Sequence, residues 1–451
     1  MEVKLHPEAV RRFSEQAEKV RCSLGLAPPA MSSPPVRGSL AHTFVERDII
    51  LGVDTGDSPW VEGLVDPITN RYVSLEIHSP RFHLALSSEG MRTFGRLADQ
   101  VARHKDLRDL CALKYIELSL IEWLEDAQVN GPSRPWSDVL VEALHRDVKP
   151  WRLLVPLEGI AIEEPFSVGS VGFGFFTREY FERVYTRAQS KGISADDLAA
   201  LRRKYDSYQG VVYASFECTA EPQRAKERAL DEVEKVLALM RFFHGAALDV
   251  RLHCPLGRMG GLIPHQAHFF LEADGELRRT FHELSRWGHD LSLSRVELRQ
   301  AMNDGLAKVE QLLRATDRND LQTRVLDAMA LFSGGLLFPG IEHRLIHALV
   351  AVESLLLKSP NEPIVGSLVP RLAHVAGSTI EQRREIVSDL RDVYEVRSSY
   401  VHHGKQPRPE SIEMVNRAVK HCWVAILTLL GEVRWTTKDD VIRALDDRLL
   451  M

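Results

Sequence analysis

The apolar positions of this chain fall mostly at helical spacing. Val10, Phe13, Ala17 and Val20 predict a helix over residues 5–24. Leu110, Leu113, Ile116, Leu120 and Trp123 predict another over 107–127, with helices on either side at 89–104 and 137–145. Short strands are expected at 49–53 and 72–77, and the Pro- and Ser-dense stretch 27–39 reads as a linker or surface loop. The pattern changes near residue 150. Residues 152–176 carry β-branched and aromatic side chains, frequent Gly and no helical period, and read as two or three strands. Helices follow at 178–190 and 194–205, then a strand at 209–218. Ala225, Ala229, Val233, Val236, Leu237 and Met240 line one face of a helix over 221–244, and 248–254 reads as a strand. From about residue 291 the chain is helical in pattern: 295–315, 320–332, 341–358, 364–376, 380–402, 410–433 and 438–449. Thr437 is suited to cap the last of these, with Asp440 three residues on. The expected fold class is α+β: mixed α/β N-terminal regions over 1–148 and 149–290, then an all-α helical bundle over 291–451.

Composition narrows the possibilities. The 451 residues are 44% hydrophobic and 27% charged, enough to bury a large core. The net charge of −6 gives no global attraction for nucleic acid, so a polyanion would need a local patch. Five scattered cysteines, never paired as C-x-x-C, argue against a disulfide framework or a structural zinc site and fit a reducing compartment. The charged N-terminus has no apolar core of a secretory signal, and no apolar run approaches the ~18 residues of a membrane span. A cytoplasmic location is expected, with no cofactor and no metal.

Several local patterns suggest chemistry. Gly169-Ser170-Val171-Gly172-Phe173-Gly174 lacks the Lys-Ser/Thr of a phosphate loop and reads as bends in a strand-rich stretch. His343 and His347 stand one helical turn apart, without the Glu of a zinc-peptidase helix; His265 and His268 are also close enough to share a metal, but ordinary histidines are expected in both cases. Glu353 lies inside an apolar run (residues 348–357), where a carboxylate must either reach solvent or pair with a cation such as a late Arg. Arg397-Ser398-Ser399-Tyr400-Val401-His402-His403-Gly404 gathers the most chemistry: an Arg that can bind phosphate, two histidines that can move protons near neutral pH, and a Gly suited to end the helix. Arg397 and His402 are five residues apart, about 140° around an ideal helix, so one continuous helix does not bring them together. A symmetric pair of such helices does so more readily.

Residues from about 320 to 431 resemble HEPN domains, most closely the Apea-like group. The resemblance rests on Ala351-Val352-Glu353-Ser354-Leu355-Leu356, on the stretch from Leu390 to Gly404, and on a closing helix with Ala418, Trp423, Ile426 and Leu430. It implies a metal-independent endoribonuclease that works as a homodimer, of the kind found in toxin–antitoxin, abortive-infection and anti-phage systems. Arg397 matches the motif Arg; His402 matches the motif His at the four-residue spacing and His403 at the five-residue spacing. Ser398 stands where the family often has Asn, Asp or His. The resemblance implies Arg397, His402 and His403 as catalytic, with Glu353, Ser398 and Tyr400 in support, RNA as substrate, and a front region that senses a phage or host trigger. The rival expectations are a non-catalytic HEPN module for dimerisation or for ligand or RNA binding, and a nucleotide-binding regulator using the same Arg and His.

Overall fold

A computed structural model describes residues 5–26, 60–62, 65–66, 71–72, 74–79, 82–131, 134–260, 266–273, 276–284, 290–338, 340–359, 361–405 and 408–449. The fold is mixed α+β with a helical C-terminal region. The strand expected at 49–53 and His265 lie outside the described residues. Two compact units are distinguished by their internal contacts. One comprises Met1–Leu153, Glu179–Asp206 and Glu217–Ala229; the other comprises Leu154–Arg178, Ser207–Phe216 and Leu230–Met451.

In the first unit the helices Pro7–Cys22, Ser88–Ala102, Leu113–Asn130 and Trp136–Asp147 enclose a core that includes Phe13, Phe94, Leu97, Ile116, Leu120 and Trp136. Leu24–Leu26 pairs antiparallel with Phe82–Leu86, Leu24 opposite Leu86. The helix expected from residue 107 starts only at Leu113. The buried carboxylate of Glu221 explains the late start. It accepts the Ala112 N–H at 3.0 Å and so holds the residue before the helix in extended conformation, while also accepting the N–H groups of Gln223 and Arg224 at 2.7 and 2.6 Å.

The second unit carries an antiparallel hairpin, Phe166–Val168 and Val171–Phe175, turning at Gly169-Ser170, with Gly169 in the left-handed region. The Gly-rich motif is therefore a strand turn. Residues 248–254 form no strand beyond an isolated bridge at His253. Their backbone groups are satisfied from elsewhere. The Val250 N–H reaches Asn416 Oδ1 at 3.1 Å and the Cys254 N–H reaches the Leu336 carbonyl at 2.8 Å. Buried Arg344 donates to the carbonyls of Ala246 (2.8 Å) and Leu252. Burial pushes the Arg344 pKa down to about 10.

The helical region comprises Asp320–Gly334, Ile341–Leu356, Ile364–Ala376, Ile380–His403, Ile412–Gly431 and Lys438–Leu449. Their apolar stripes meet in a core that includes Met329, Phe332, Leu349, Val352, Leu390 and Ile426. Thr437 and Asp440 form reciprocal caps at 3.2 and 3.0 Å. Among the described residues no helix is long and apolar enough to cross a membrane.

The segment 295–315 is not one regular helix. It runs Arg295–Ala301, a kinked turn at Met302–Leu306, then Ala307–Arg314, because Gly305 sits at φ 129°, outside helical backbone. L-residues are strained there, at a cost on the order of 1–3 kcal/mol. Gly305→Ala is expected to lower stability by about 2 kcal/mol, read from urea unfolding; an unchanged midpoint would show that the turn relaxes freely.

Candidate functional site

The Ile380–His403 helix begins with a capping box, in which the Gln382 N–H donates to Thr379 Oγ1 and the Gln382 side chain accepts from the Thr379 N–H. It ends at Gly404, in the left-handed conformation at φ 62°. The Gly404 N–H donates to the Tyr400 carbonyl at 2.9 Å and the Lys405 N–H to the Ser399 carbonyl at 3.3 Å. Ile386, Leu390 and Val393 are buried and fix which face looks inward.

One turn past Val393 that buried stripe gives way to Arg397. Its Nη2 lies 3.8 Å from Glu353 Oε1, with the two side chains 27% and 16% exposed. Glu353 thus packs within the bundle beside a cation of a late helix. Tyr394 completes the group, donating its hydroxyl to Glu353 Oε1 at 3.0 Å, and Arg397 stands 5.9 Å from the Tyr394 ring centroid. Burial, then the negative charge of Glu353, holds the Tyr394 hydroxyl protonated well above its ordinary range. Fully buried Cys422 feels the same two influences, and its thiol is pushed up to about 12.

Arg397 is unusual in how little it is bonded. Among the described residues none of its N–H groups makes a hydrogen bond, and Nε is buried without a partner. An unmet buried donor costs about 1–3 kcal/mol, so a protein that keeps one invites a functional reading. Arg371 shows the contrast, with its donors distributed over Leu356, Glu362 and Asp446. The Arg397 fork is therefore held by one loose ion pair, with donors left for an anion.

The histidines lie elsewhere on the helix. His402 and His403 occupy its last turn and are exposed, with no ion pair or hydrogen bond from either ring among the described residues. Ser398 is exposed and Tyr400 half-buried. Lys405 and Arg408 follow, also exposed. The structure brings Glu353 to Arg397 but not His402 to Arg397.

Two groups are not apparent from sequence patterns alone. Tyr394 could have been found as the residue one turn before Arg397. Buried Asp389 accepts two hydrogen bonds from Arg417, at 3.0 and 2.7 Å, and lies 3.3 Å from His421 Nε2. Burial works to raise its pKa, but Arg417 and His421 outweigh this and hold it below the ordinary value. The spacing of Arg417 and His421, one turn apart, was the available signal.

His347 Nδ1 contacts the Leu331 carbonyl at 2.9 Å, and its ring fills the space that a side chain at Gly334 would need. His343 packs on Phe338. His268 stands on a strand, in register with His282. Among the described residues no group of three or more His, Cys, Asp or Glu is placed to hold a metal. Comparison with family models, with curated proteins and with solved structures returned no match.

Proposed function

We propose that this chain is a metal-independent endoribonuclease of the HEPN type, acting as a homodimer in anti-phage or toxin-like defence. The observation that carries the reading is the under-bonded Arg397, positioned by Glu353 and Tyr394 on the helix that ends in exposed His402 and His403. RNA carries its own nucleophile. A base takes the 2′-OH proton, the 2′-oxygen attacks phosphorus, and the P–O5′ bond breaks as an acid protonates the leaving oxygen. The products are a 2′,3′-cyclic phosphate and a 5′-hydroxyl. His402 is suited to proton transfer near neutral pH, and Arg397 to the charge that builds on the non-bridging oxygens. His403 assists or fixes the helix end. Because the two key residues leave one helix in different directions, the active cleft takes groups from two protomers. Single-stranded or looped RNA is the favoured substrate, and the front unit is the place for a trigger.

Wild-type protein is expected to cleave single-stranded RNA in excess chelator. His402→Ala should lose roughly 100-fold or more, within the range of a general acid–base residue. Equal rates for the two proteins would remove His402 from the mechanism, and silence of the wild type in chelator alone would remove the metal-free route.

A second reading has one observation behind it. Glu353 partly neutralises Arg397, as suits a non-catalytic module for dimerisation or for ligand or RNA binding. That reading expects RNA binding or dimerisation without cleavage.

A further inference from the structure

The second unit contains a cavity of about 400 Å³, within the usual size of small-molecule sites. It lies beside the kink at Gly305, where the helices Arg295–Ala301 and Ala307–Arg314 meet. Its apolar wall includes Phe243, Leu248, Leu306 and Trp423. Leu248 is 41% exposed, an apolar side chain in contact with water. Among the described residues on the lining, the charged ones are Asp290, Glu297 and Asp304, all exposed carboxylates, and none is Lys or Arg.

The three carboxylates are not equivalent. Glu297 is committed to the helix cap, where its Oε2 accepts the Ser294 N–H at 2.9 Å. Asp304 accepts from Gln300 Nε2 at 2.8 Å through one oxygen, and the other has no partner among the described residues. Asp290 has no hydrogen-bond or ion-pair partner among them. An apolar pocket with two carboxylates uncommitted among the described residues and two aromatic rings is complementary to a cationic head on an apolar body. Carboxylates attract the charge, the rings of Phe243 and Trp423 favour it further, and the aliphatic wall takes the body. We infer that this cavity binds a small organic ammonium ion, independently of whether Arg397 serves a ribonuclease.

The test uses the full-length chain and three probes of one shape: phenethylammonium, the neutral 2-phenylethanol and the anionic phenylacetate. Each is titrated calorimetrically at low salt. Phenethylammonium is expected to bind in the micromolar-to-millimolar range open to so small a molecule, with the alcohol weaker and phenylacetate silent. Asp290→Asn with Asp304→Asn should weaken the ammonium about fivefold, as suits two partly solvated charges. Leu248→Arg, which sets a cation among the lining residues, should abolish binding. Both changes fall at exposed positions, and unchanged melting temperatures would confirm intact folds. Absence of ammonium binding to the wild type would overturn the assignment. Equal affinity for all three probes, or binding indifferent to both variants, would do the same.

Discussion

Arg397→Lys is expected to lower RNA cleavage by roughly 100-fold while leaving the melting temperature nearly unchanged. The charge is conserved, so a simple electrostatic anchor would tolerate the exchange. The geometry argues that it is not tolerated. The guanidinium carries its donors in a rigid fork, and its Nε–H is buried without a partner. A lysine ammonium is a point charge on a flexible stem. Beside Glu353, with its Oε1 already 3.8 Å from Arg397 Nη2, it would collapse onto the carboxylate and leave the phosphate without paired donors. Removing one preorganised donor from a developing oxyanion costs about 10²–10³ in rate, which sets the expected size. The loss should fall on kcat and kcat/KM together, as for an interaction made in the transition state. Retention of near-wild-type rates by Arg397→Lys would mean the fork is not used. Mixed dimers give a second readout. If the cleft draws on two protomers, Arg397→Ala and His402→Ala chains, each inactive alone, should regain part of the activity when combined.

The parts of this site that could be read from sequence are those fixed by neighbours along the chain. Thr379 and Gln382 start the long helix, Gly404 stops it, and both signals are local. The apolar run around Glu353 implied that its carboxylate either reaches solvent or finds a partner, because a buried lone charge is too costly. That Tyr394 would share that carboxylate with Arg397 depends on how two helices pack, which no periodicity encodes. Residues 248–254 show the same limit from the other side. Their composition suits a strand, but the partners of their backbone groups are Arg344 and Asn416, 92 and 166 residues away from the groups they bond. A buried side chain replaced the ladder. The break at Gly305 differs in kind. Asn303-Asp304-Gly305 is a local turn signal, and it overrides the helical period on either side.

Arg371→Met should destabilise the helical region by about 3 kcal/mol, or roughly 6–10 °C in melting temperature. Methionine keeps much of the stem volume, so the loss would report the charge network and not a void. Arg371 is nearly fully buried. It donates to the Leu356 carbonyl at 2.8 Å, to Glu362 at 3.1 and 2.8 Å, and to Asp446 at 2.7 and 3.1 Å. It thereby ties the end of Ile341–Leu356 to the helix Ile364–Ala376 and to the C-terminal helix. Removing it leaves a carbonyl unpaired and leaves Glu362 and Asp446 to Lys358, whose backbone N–H and Nζ they accept at 2.6 and 3.2 Å. The partners are 14% and 31% exposed, and water at those carboxylates keeps the expected cost at the low end for a broken buried pair. The pH dependence follows with a definite sign. Hydrogen bonds from Arg371 hold the carboxyls of Glu362 and Asp446 below their ordinary values. Their contribution is complete above the ordinary carboxylate range and is lost as pH falls through the lowered values. The gap between wild type and variant should therefore be full at neutral pH and shrink on acidification below about pH 4. A gap under about 1 kcal/mol, or one that is flat with pH, would place this network among ordinary surface pairs. The consequence reaches the candidate site, because Leu356 lies one turn beyond Glu353. A helix end released at Leu356 loosens the carboxylate that positions Arg397, so the same variant should also lose RNA cleavage at temperatures where it remains folded.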